Sequence, residues 1–173
     1  MMRSRSRMTA VSAVFSALGI ILGYIETFIV IPVRIPGIRI GLANIVSILG
    51  LYLFGPVWAA LILFVRVMLS GMLFGTPVSF VYSIFGALVS LTVMIVAKCL
   101  KFSVYGVSVL GAVSHNIAQI VVAMFLMNSR YVITYIPALV IAGVVTGILI
   151  GALSYMILKR LRGVFINESE GMK

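Results

Sequence analysis

The sequence predicts an all-α fold: a polytopic membrane protein built as a six-transmembrane-helix bundle, with both termini cytoplasmic. Three observations predict it. Hydrophobic residues make up 63% of the chain and charged ones only 9%, against roughly 25% charged in a soluble domain. The mean hydropathy is +1.29, too apolar for a solvated surface, so the solvent of this chain is lipid. The cations gather at the ends of apolar runs rather than along them, as a topology signal does.

The elements follow from runs of about 20 apolar residues, the length that crosses a bilayer core. The first helix is expected over residues 8–30; it is too long for a signal-peptide core and lacks a plausible cleavage site, so it is a span. A loop over 31–39 contains Pro32 and Pro36. A short second helix is expected over 40–54, ended by Gly55-Pro56. The third covers 57–74 and stops at Gly75-Thr76-Pro77; the fourth covers 78–97 and the fifth 104–127. Asn128-Ser129-Arg130 is a polar turn, the sixth helix covers 132–158, and the chain after Gly163 is polar and frayed. The domain plan is thus one transmembrane domain, 1–163, and a polar cytoplasmic tail, 164–173.

The second helix is short enough to suit a re-entrant segment, and charge decides the count. With six spans, the Arg3, Arg5 and Arg7 cluster, the Lys98 and Lys101 loop and the Lys159, Arg160 and Arg162 cluster share one side, as the positive-inside rule requires. With five, two basic termini face opposite sides. The net charge of +10 is therefore a matter of topology and anionic lipid heads, not of nucleic acid. Arg34, Arg39 and Arg130 fall on the outer side, where they serve either a ligand or headgroup anchoring.

Small residues recur at helical spacing: Gly143, Gly147 and Gly151 on the sixth helix, Gly71 and Gly75 on the third, and Ala13, Ala17, Gly19 and Gly23 on the first. Such stripes let helix backbones approach in lipid. The Ala13 and Ala17 face, with Ser12 and Ser16 alongside, either packs internally or docks another membrane subunit.

Ionisable groups at membrane depth are costly and usually functional. Arg66 lies in mid-helix and Glu26 is the single acid before Glu168. At ~1.5 Å per residue, Arg66 is about 14 Å and Glu26 about 27 Å from the inner side. The two form an ion pair if both stretch; otherwise Arg66 faces an anionic ligand in a water-filled cavity. His115, Asn116 and Gln119 cluster on the fifth helix, with His115 and Gln119 four apart on one face, and either bond across helices or orient a ligand. Asn44 on the second helix is a weaker candidate of the same kind.

Enzymatic chemistry finds little support. The chain has no aspartate, so no carboxylate cluster of the kind that holds Mg²⁺ on a diphosphate. A single cysteine, Cys99, excludes a disulfide framework and a cysteine metal cluster. No Walker loop is present. No catalytic residue, metal site or cofactor is expected in this chain.

The stretches Arg34-Ile-Pro-Gly-Ile-Arg39-Ile-Gly-Leu-Ala-Asn44-Ile, Leu53-Phe-Gly55 and Arg66-Val-Met-Leu-Ser70-Gly-Met-Leu-Phe-Gly75 resemble a bacterial membrane family called heptaprenyl diphosphate synthase component I, also Gx transporter. The six-helix plan, with Ala13-Val-Phe-Ser-Ala17 on the first helix, resembles the substrate-binding S-components of energy-coupling factor (ECF) transporters. That resemblance implies a multi-pass protein of the bacterial cytoplasmic membrane. Ala13 and Ala17 would meet a coupling subunit, and ATP would be used by partner ATPases. Arg34, Arg39, Asn44, Arg66, His115, Asn116 and Gln119 would contact a small or amphipathic anion, a vitamin or precursor. The other implication is an accessory membrane component of polyprenyl diphosphate synthesis. Prenyl synthase catalytic chains carry aspartate-rich motifs, which this chain lacks.

Overall fold

The computed structural model describes residues 5–28, 41–128 and 130–170, and all of its regular structure there is helical. The order is α1 (Arg5–Phe28), α2 (Leu42–Leu53), α3 (Pro56–Phe74), α4 (Pro77–Cys99), α5 (Val104–Met127), a 3-10 turn (Arg130–Tyr135) and α6 (Ile136–Glu170). Five helices are long and apolar enough to cross a membrane, and α2 is a shorter apolar helix.

The breaks follow backbone chemistry. Gly55, at φ 88°, takes a conformation that a side chain resists, and Pro56 then starts α3 where its missing N–H costs nothing. Pro77 opens α4 in the same way, one residue before the expected start. Gly41, at φ 82°, stands at the head of α2, which therefore begins at Leu42 rather than at the Ile40 that apolarity alone indicates. The Ser103 hydroxyl accepts from the Gly106 N–H at 3.2 Å and caps α5. Asn128, at φ 46°, closes α5 in the left-handed conformation that asparagine tolerates. α6 departs from expectation at both ends. A 3-10 turn precedes it, and its backbone stays helical to Glu170, seven residues past Gly163, because no proline interrupts that stretch.

α2 sits at the centre. Eight of its twelve residues are buried, from Ala43 to Leu51, and it packs on α1, α3, α4 and α6. The longer helices show apolar residues on their outer faces, such as Phe64, Phe85, Ile141 and Leu149. A buried apolar helix ringed by helices with apolar exteriors is the arrangement that lipid solvates.

Glycine sets how closely α6 meets α5. A Cβ on Gly147 would stand 2.6 Å from the Val109 Cα, on Gly151 3.0 Å from the Tyr105 Cα, and on Gly143 3.2 Å from the Val113 Cα. The stripe is thus spent on internal packing, backbone against backbone. The Ala13 and Ala17 face is different: both are exposed, while Ser12 and Ser16 turn inward.

Lys98, in the last turn of α4, donates from Nζ to the Leu51 carbonyl at 2.6 Å and lies 4.8 Å from the Tyr52 ring centroid. A cation here satisfies a carbonyl that the end of α2 leaves without a helical partner and complements the negative pole of its dipole.

Candidate functional site

A cavity of about 130 Å³ opens between α2 and the other helices. One wall comes from α1, α2 and α3 and carries Glu26, Asn44, Arg66 and Ser70; the other comes from α4, α5 and α6 and carries Ser83, Ser90, Ser108, His115, Asn116 and Thr146. Gly23, Gly41, Phe74, Gly75 and Phe80 place it toward the end of the bundle away from Lys98, and Met94 and Ile150 line its depth.

Arg66 is 8% exposed. Its stem crosses α1 at Gly19, where an added Cβ would come within 2.7 Å of the Arg66 Cδ. Glycine there is the gap through which the side chain passes. From that level Arg66 Nη2 reaches the Asn44 Oδ1, 3.4 Å away, in the first turn of α2. The contact is longer than the usual 2.7–3.2 Å hydrogen bond. Arginine bends toward the polar end of the bundle, as long cations do in membranes.

Glu26 accepts the Gly41 N–H at 2.7 Å on its Oε1. The acid thereby stands at the positive end of α2, where a negative group is stabilised by backbone N–H groups and the dipole. Glu26 and Arg66 flank the same α2 start, one from the chain end of α1 and one from below.

The opposite wall is made of small polar groups. Ser90 Oγ donates to the Gly111 carbonyl at 2.8 Å, Asn116 Nδ2 to the Leu139 carbonyl at 2.9 Å, and Thr146 Oγ1 to the Gly143 carbonyl at 3.4 Å. Gly86 on α4 makes room for the next layer: a Cβ there would meet His115 Cε1 at 2.9 Å and Gln119 Cγ at 3.0 Å. His115 reaches the cavity; Gln119, one turn further along α5, lies outside its lining. Of the residues singled out in the sequence, the structure thus brings Asn44, Arg66, His115 and Asn116 to one cavity, with Glu26 at its rim. Arg34 and Arg39 lie outside the described residues.

The sequence reading passed over Ser83, Ser90, Ser108 and Thr146, because isolated hydroxyls are common in membrane helices. A signal was present: Ser83, Ala87, Ser90 and Met94 recur at three and four, one inward stripe of α4. Gly19 and Gly86 were open to the same reading, as the small partners of a large polar side chain.

Together the groups form a buried polar pocket with a guanidinium and a helix N-terminus on one side and hydroxyl and carboxamide groups on the other. Among the described residues no cluster of three His, Cys, Asp or Glu stands ready to hold a metal.

Comparison with known proteins gives one family. The model described as heptaprenyl diphosphate synthase component I matches residues 15–157, which takes in every residue of the cavity. No curated protein and no solved structure matches the chain.

Proposed function

The chain belongs to the heptaprenyl diphosphate synthase component I family, and from that premise we propose that it is a membrane-embedded substrate-binding subunit of an ECF-type importer, taking up a small anionic vitamin or precursor. Six spans, α2 included, put both termini in the cytoplasm and open the cavity outward. Substrate enters at the Glu26, Gly41 and Gly75 end. Asn44, Arg66, His115 and Asn116 hold it, and the 31–39 segment with Arg34 and Arg39 lies on its way in. Energy comes from separate ATPases through a coupling subunit seated on the exposed Ala13 and Ala17 face.

The observation that carries this reading is the buried Arg66 directed at the start of α2 inside a cavity. An anion 4 Å from a guanidinium gains on the order of 4 kcal/mol at an effective dielectric of 20. Small molecules released from the natively purified protein, identified by mass spectrometry, supply the ligand. That ligand is expected to raise the melting temperature of the wild type and to leave Arg66→Ala unmoved. Equal stabilisation of both proteins rules out the role given to Arg66.

The family description itself favours a second reading, an accessory component of polyprenyl diphosphate synthesis with a partner synthase component. Co-purification with a soluble aspartate-rich prenyl synthase subunit, with synthase activity restored on adding this chain, decides for it.

A further inference from the structure

Arg66 on one wall of the cavity and three polar groups on the other offer hydrogen bonds of opposite sign, and the difference narrows the ligand. On the α1–α3 side the charged donor is the Arg66 guanidinium, which has no acceptor atom, while the Glu26 carboxylate at the rim already takes the Gly41 N–H at the head of α2. On the α4–α6 side three polar groups have already given a proton away. The Ser90 hydroxyl donates to Gly111, the Thr146 hydroxyl to Gly143 and the Asn116 amide nitrogen to Leu139. A hydroxyl has one proton and two lone pairs, so Ser90 and Thr146 are left as acceptors, and Asn116 keeps its carboxamide oxygen for the same use. Ser90 and Asn116 are 2% and 8% exposed, so water does not readily take the ligand's place on them.

We infer that the site, read as the importer pocket proposed above, selects a compact anion carrying hydrogen-bond donors, hydroxyl or amino, on the side remote from its charge. The negative group lies against Arg66. The donor lies against the acceptor oxygens of Ser90, Asn116 and Thr146. Size agrees: an apolar cavity of about 150 Å³ holds benzene, and this one is about 130 Å³. One ring, or a short chain of similar bulk, fills it. A long isoprenoid chain is too large for a cavity of about 130 Å³.

Binding of three related anions to the full chain in lipid nanodiscs tests this: 3-hydroxybenzoate, which has a donor, 3-methoxybenzoate, which has an acceptor alone, and the smaller benzoate, which has neither. Geranyl diphosphate serves as the extended anion. The hydroxy acid is expected to bind at least tenfold more tightly than the methoxy acid or benzoate, and that ratio is expected to fall below threefold in the double variant Ser90→Ala, Thr146→Val. The wild-type ratio stands alone as a test if the variant does not fold. Equal affinity of the three benzoates, or a ratio unchanged in the folded variant, overturns the inference. Tight geranyl diphosphate binding that is lost in Arg66→Ala overturns the inference while leaving an anion pocket in place. No binding of any of the four at 10 mM overturns this inference, and the importer reading then rests on the ligand released from the native protein.

Discussion

The seam of α5 with α6 and the inner face of α1 use glycine for opposite ends. In α5 and α6 glycine brings backbone to backbone: Gly147 leaves 2.6 Å to the Val109 Cα for any Cβ placed there. In α1 it makes way for a side chain: Gly19 leaves 2.7 Å, but to the Arg66 Cδ. The distances are nearly the same and the consequences are not, because a main-chain atom in a packed helix cannot yield and a flexible stem can. The seam zips a rigid wall, and the α1 face admits a charge to membrane depth.

The largest effect expected from this contrast is at Gly147. Gly147→Val forces α5 and α6 apart and should cost about 3 kcal/mol, seen as a large drop in the melting temperature in detergent. Lys98→Met removes the bond to the Leu51 carbonyl and the contact with Tyr52; for a half-buried lysine the loss should be roughly 1 kcal/mol. Gly19→Ala gains helix propensity while displacing the Arg66 stem, so stability should change by less than about 1 kcal/mol. Anion affinity should nonetheless fall about tenfold. A Gly19→Ala variant as unstable as Gly147→Val would erase the distinction between the two. The smallest effect on stability belongs to Ala13→Leu with Ala17→Leu, within about 0.5 kcal/mol because both sites are exposed. There the quantity to follow is co-purification of a coupling subunit, expected to be lost.

How much of this was legible in the sequence depended on the kind of signal. Apolar runs and the Gly55-Pro56 and Gly75-Thr76-Pro77 breaks place α1, α3, α4 and α5 within a few residues, since hydrophobic length and missing N–H groups act locally, whereas α6 runs on to Glu170, past its expected end at 158. The start of α2 was not legible, because it turns on the left-handed conformation of Gly41 and on a carboxylate fifteen residues away. Arg66, Asn44, His115 and Asn116 announced themselves by being costly in lipid. The hydroxyls of the opposite wall did not, as a serine that bonds a backbone carbonyl is cheap anywhere in a membrane helix. That Arg66 passes through Gly19, and that His115 and Gln119 rest on Gly86, are relations between helices that no single stretch of chain contains.

α2 has one further property. Its twelve residues reach about 18 Å, against a hydrocarbon layer of ~30 Å. Lys98 holds one end beside the turn after α4, and the other end opens on the cavity at Gly41. The first peptide dipoles of α2 face a buried pocket rather than bulk water, with the Glu26 carboxylate already on the Gly41 N–H. In that recess the pole of a twelve-residue rod is little screened by water, and it already holds one acid in place.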